Sequence, residues 1–208
     1  MKVARIVLGT ILALGLNAPL AAQDELPIPA DGFVHCTVCH GVQLMGNPII
    51  EAPRLSGMDS WYVESQLHSF KRGWRGKHER DLVGMEMQPM AVALSDQQIK
   101  DVAAFVAATR SDLPLSTIDG DAEKGQLHYS TCAACHGVRG EGNIALGSPA
   151  LTGLNDWYLA TQLKNFRDGT RGSQPGDIYG MQMRASAGLL SDDEAIRDVV
   201  AYIATLRD

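Results

Sequence analysis

A chain of 208 residues, 45% apolar and 20% charged, has an ordinary globular composition and length enough for one or two domains. Its formal charge of −6 argues against a nucleic-acid binder, which needs a basic face to neutralise phosphates. Aromatic residues at 6% leave little bulk for filling two cores unaided, and four cysteines are too few for a disulfide scaffold.

The N-terminus reads as an export signal. Lys2 and Arg5 precede an uncharged apolar run from Ile6 to Leu16, and small residues follow at Ala18, Ala21 and Ala22. This layout predicts a signal peptide over residues 1–22, cut near Ala22. The run is short for a membrane anchor, which needs about 20 apolar residues. Export excludes cytosolic nucleotide chemistry, and the chain has no Gly-rich phosphate loop.

Behind the signal, one unit is written twice. Adding 96 to a residue number lands on its counterpart: Cys36, Cys39 and His40 become Cys132, Cys135 and His136, and Trp61-Tyr62 becomes Trp157-Tyr158. From Cys36 to Ser95, 25 of 60 positions are identical without a gap, so the chain is a duplicated domain. After Ser95 the second copy gains a residue, since Asp101 matches Asp198. The division is domain 1 over 23–112, a linker over 113–120 and domain 2 over 121–208. Residues 23–118 and 119–208 each carry 8 basic and 12 acidic side chains, so neither half offers a basic face to a membrane or nucleic acid.

The pattern predicts helices from Asp59 to Phe70, Asn155 to Phe166 and Asp121 to Thr131. Ser95–Gln98 and Ser191–Glu194 read as capping boxes that open two final helices. In those helices Val102, Phe105 and Val106, and Val199, Ile203 and Leu206, recur at helical spacing. Pro27, Pro29 and Gly32 interrupt the region before Cys36, so the first copy lacks a match for the Asp121–Thr131 helix. Stretches 41–58 and 137–154 read as loops, and no run alternates with the period of a strand.

Cys36-Thr-Val-Cys39-His40 and Cys132-Ala-Ala-Cys135-His136 are both C-x-x-C-H, the attachment signature of c-type haem. Two thiols one helical turn apart add to the two vinyl groups, which places the following histidine beneath the iron as proximal ligand. A zinc ribbon normally spaces its cysteine pairs more closely. A thioredoxin-like pair needs a βαβ setting, and local disulfides give no reason for the adjacent histidine. Two covalent haems, one per domain, are therefore expected. Among the methionines, only Met85 and Met87 keep a counterpart, at Met181 and Met183, and the repeat cannot choose within each pair.

With two C-x-x-C-H motifs, two P-x-L-x-G segments and two Met-x7-Ser segments, the chain resembles the di-haem class I cytochromes of the cytochrome c4 type. The resemblance implies an all-α fold of two tandem cytochrome c domains, each enclosing one haem. It selects Met87 and Met183 as sixth ligands, leaving core packing for Met85 and Met181. It assigns Pro53 and Pro149 as the carbonyl acceptors for the proximal histidines. Arg75 and Arg171 are candidates for haem propionates or for solvated surface positions. Trp61 and Trp157 are candidates for the haem edge or for core packing, and His35, His68, His78 and His128 read as surface or loop residues.

The expected function is a periplasmic electron carrier rather than an enzyme, at most peripherally associated with a membrane. Its donor would be a quinol-oxidising complex or a dehydrogenase, and its acceptor a terminal oxidase or reductase. The alternative is the cytochrome subunit of a dehydrogenase oxidising sulfide, thiosulfate or an alcohol. Catalysis at one haem, as in a di-haem peroxidase, requires a free sixth position, and the methionine in each repeat counts against it.

Overall fold

The computed structural model describes residues 33–207; the signal peptide expected over residues 1–22 and the Pro-containing stretch before Phe33 lie outside them. Eight α-helices and no strand are present among the described residues: α1 (Val34–His40), α2 (Ser60–Lys71), α3 (Leu82–Val92), α4 (Asp96–Ala108), α5 (Ala122–His136), α6 (Asp156–Arg167), α7 (Ile178–Ala187) and α8 (Asp193–Thr205). The duplication is visible as two clusters of buried apolar side chains. One is built on Leu44, Leu67, Phe70, Ile99 and Val106; the other on Leu163, Phe166, Ile196, Val200 and Ile203. In the first domain α2 packs on α3 and α4; in the second, α6 packs on α7 and α8 and α5 lies along α8.

Local chemistry explains most boundaries. Ser95 opens α4 with a complete capping box, its Oγ accepting from the Gln98 N–H while Gln98 Oε1 accepts from the Ser95 N–H. The matching box at Ser191 does not form. Asp192 caps α8 instead, accepting from the Ala195 N–H at 2.9 Å, and Ser191 donates to that carboxylate. The extra residue of the second copy is thus Ser191 itself, which displaces the cap by one position.

Three helices have no sequence expectation behind them: α1, α3 and α7. Asp81 and Asp177 cap α3 and α7 by accepting from the N–H of Gly84 and Gly180, three residues on. A Cβ at Gly84 would lie 2.1 Å from Asp81 Oδ2, so with any other residue there the folded-over carboxylate would have to shift. Loop 137–154 contains a 3₁₀ turn at Ile144–Leu146, and α5 runs on through its motif to His136. Although α1 has only seven residues, Phe33 at its start stacks on Phe105 of α4 with ring centroids 5.7 Å apart, joining first and last helices.

Residues 109–121 carry no helix, and they are pinned down along their length. Arg54 donates to Ser111, Arg207 to the Pro114 carbonyl, and Asp156 accepts from Thr117 and Ile118. Arg54 also donates to the Gly153 carbonyl of the other domain at 2.9 Å, and its own N–H to Asn155 Oδ1 at 2.6 Å. Met58 touches both apolar clusters. No described helix is long and apolar enough to cross a membrane.

Candidate functional site

Each C-x-x-C-H motif closes a helix. His40 and His136 are the last residues of α1 and α5, and the next residue is a glycine with φ of +81°, a conformation side-chain-bearing residues rarely adopt. The chain then folds back so that the His40 and His136 carbonyls accept from the N–H of Gly46 and Gly142. Paired bridges, Asn47 with Ala52 and Asn143 with Ser148, pinch the loop and deliver Pro53 and Pro149 to the histidines. His40 Nδ1–H donates to the Pro53 carbonyl at 2.7 Å, and His136 Nδ1–H to the Pro149 carbonyl at 2.8 Å.

Both imidazoles are 7% exposed. Burial pushes their pKa values down, against the opposing effect of the proline carbonyl, and so favours neutral rings. A carbonyl can only accept, so Nδ1 carries the proton and Nε2 is left with its lone pair for a metal. Cys36 and Cys132 are half-buried at the edges of the apolar clusters, while Cys39 and Cys135 are exposed, and none is in a disulfide. Burial pushes the Cys36 and Cys132 thiols up. No group of three or more His, Cys, Asp or Glu side chains comes together as a metal cage among the described residues.

The methionine pairs divide by exposure. Met87 and Met183 pack half-buried against the same clusters as Cys36 and Cys132. Met85 and Met181 are 47% and 52% exposed, so the core-packing role expected of them is incorrect. Residues two apart on a helix point to different sides, and here the later one of each pair meets the core. On α3 and α7, Leu82, Met90, Ile178 and Tyr179 are also exposed. A large apolar ring system fits such surroundings, and it fits the donor set: two free thiols, a neutral imidazole with Nε2 unengaged, and a thioether.

Arg75 and Arg171 are not solvated surface residues. They are 9% and 6% exposed, stacked over Phe70 and Phe166 at the boundary between the domains. Gln66 and Gln162 hold them, and neither was singled out from the sequence, although both sit at matching repeat positions. Trp61 and Trp157 are half-buried against Tyr62 and Tyr158 and belong to neither core cluster. His35 is exposed and His68, His78 and His128 are half-buried.

The chain is similar to known proteins over both of its domains. The cytochrome c family model matches twice, at residues 31–110 and 122–207. A thiosulfate dehydrogenase electron acceptor of Stutzerimonas stutzeri is 34% identical over 96% of this chain and 94% of its own. Cytochrome c4 of Pseudomonas aeruginosa is 30% identical over 94% of this chain and 97% of its own. The crystal structure of reduced recombinant cytochrome c4 from Pseudomonas stutzeri superposes with a TM-score of 0.65 at 30% identity, covering 83% of this chain and 93% of that one. With two matched domains and an attachment motif for covalent haem c in each, the chain belongs to the cytochrome c family.

Proposed function

We propose that this protein is an exported di-haem electron carrier working in the periplasm, in which one histidine and one methionine of each domain would hold a haem iron. One arrangement, present twice, supports the reading: a histidine held by a proline carbonyl and a methionine against the same apolar cluster as the attachment cysteine. Bound haem iron supplies reversible uptake of one electron.

The chain's own residues do the rest. Cys36 and Cys39, and Cys132 and Cys135, are the thiols that would hold the cofactor, through thioether bonds to its two vinyl groups. Pro53 and Pro149 fix the ring orientation and tautomer of His40 and His136. Met87 and Met183 would supply the second protein ligand to each iron, and a thioether there would favour the reduced state. Arg75 and Arg171 would pair with the haem propionates. A closed pair of ligands leaves no position for substrate, so the protein carries electrons without transforming a metabolite. Residues 1–22 direct export and are removed. Donors of the quinol-oxidising or dehydrogenase class and acceptors of the oxidase or reductase class suit such a carrier.

The decisive experiment is a redox titration of the holoprotein combined with exposure of the reduced form to carbon monoxide. Two one-electron transitions and no rapid carbon monoxide adduct are expected; rapid binding at either haem means an open iron and overturns the carrier reading. A narrower reading, as the electron-accepting subunit of a thiosulfate dehydrogenase, is favoured by the 34% identical relative of that name. Reduction by a thiosulfate-oxidising partner, faster than by quinol-oxidising membranes, would select it.

The ligand assignment has its own test. Met87→Ala and Met183→Ala should each abolish the methionine-to-iron charge-transfer band of one haem and lower that haem's potential, while Met85→Ala and Met181→Ala leave the band in place. Loss of the band in the Met85 or Met181 variants would reverse the choice within each pair.

A further inference from the structure

Two buried guanidiniums meet where the domains join. Arg75 and Arg171 are repeat equivalents, each stacked on its own domain's phenylalanine, at 4.2 Å from Phe70 and 4.3 Å from Phe166. Each donates Nη1 to the glutamine nine positions earlier, Arg75 to Gln66 at 2.9 Å and Arg171 to Gln162 at 2.5 Å. There the symmetry stops. Arg171 also reaches across the boundary, donating Nη2 to Gln66 Oε1 at 3.0 Å. A single oxygen of Gln66 therefore holds both guanidiniums, whereas Gln162 holds one.

No described carboxylate accepts from either arginine. Asp81, whose charge reaches Arg171, spends its oxygens on the N–H groups of Gly76 and Gly84. Arg75 Nε is buried with no partner of its own. Two like charges packed together and cut off from water are unfavourable unless an anion joins them. The haem propionates are the anions that the bound cofactors would bring, and a fixed guanidinium beside them opposes the extra positive charge of oxidised iron and so raises the potential.

We propose that Gln66 is a positioning residue that couples the two haems, setting the angle of both arginines and hence moving both potentials together. The proposal rests on the reading that Arg75 and Arg171 face the propionates. It predicts an asymmetry that the repeated sequence would not suggest: of two glutamines at equivalent repeat positions, one governs both haems and the other governs only the second.

Spectroelectrochemical titration of the holoprotein tests it. Arg75→Gln and Arg171→Gln should each lower a potential; if neither does, the propionate reading falls and the proposal with it. Given those shifts, Gln66→Leu should lower both potentials and Gln162→Leu only one, with helical circular dichroism unchanged in each. A Gln66→Leu protein in which one potential or none moves overturns the proposal alone. If Gln66→Leu fails to fold, Gln66→Glu keeps the acceptor oxygens and places its new charge between both guanidiniums. It should lower both potentials, and a shift confined to one has the same overturning force.

Discussion

Asp156, the first residue of α6, is 1% exposed yet ionised. Burial alone would raise its pKa, but N–H groups of Thr117, Ile118 and Trp157 and the Thr117 hydroxyl all donate to it and hold it below the usual carboxylate value. A carboxylate whose folded pKa is depressed contributes stability above its unfolded pKa of about 4, and that stability is lost as pH falls through the folded value. Asp156→Asn should therefore lower unfolding stability at pH 7 by about 2 kcal/mol, the size of a charge-assisted buried bond. The gap between wild type and variant should narrow as the pH drops below about 4. Urea unfolding at several pH values checks both. Repeat position 60 carries serine, so the first domain has no equivalent clamp on the linker.

At the scale of the element, α5 and α8 cross with backbone close to backbone. A Cβ on Gly125 would lie 1.9 Å from the Asp198 carbonyl oxygen. Alanine in a helix normally gains up to about 1 kcal/mol over glycine, but a carbonyl within a neighbouring helix cannot swing away, and overpacking costs about 1–3 kcal/mol. Gly125→Ala should thus destabilise the second domain, shifting its urea midpoint down with no change in slope. Helices such as α4 and α8 were legible because one stripe of Val, Ile and Phe meets the core and the rest meets water. The helices α3 and α7 were not legible, because Gly84, Pro89 and Gly180 break the propensity pattern and apolar residues appear on more than one side. Their signal was the Asp-x-x-Gly start, repeated in both copies. The attachment motifs were readable in full. The burial of Arg75 and Arg171 was not, because it depends on the meeting of two domains, which no periodicity within either one records.

For the whole molecule, Arg54 is the point where both domains and the linker converge. Its guanidinium is buried and donates to the carbonyls of Ser56, Ser111 and Gly153 and to the Ser111 hydroxyl. Burial, Arg207 and Arg110 push its pKa down, but arginine keeps its proton in proteins. Replacing it with alanine orphans those acceptors at a cost of about 3 kcal/mol, near the upper range for bonds to a charged group. That loss should fall on the join between domains rather than on either core. Calorimetry of Arg54→Ala should split one unfolding transition into two, while both haems keep their spectra.

The Arg54 contact also has a handedness of use. At its repeat position stands Ala150, so the bond to Gly153 has no mirror image running from the second domain back to Gly57. A self-complementary face carries every contact both ways round and lets a unit pair with its own copy, whereas a one-way face joins unlike ends and propagates unless something closes it. Here the covalent tether supplies the closure. The donor end is consumed by the acceptor end of the same chain, and neither is left free to recruit another molecule.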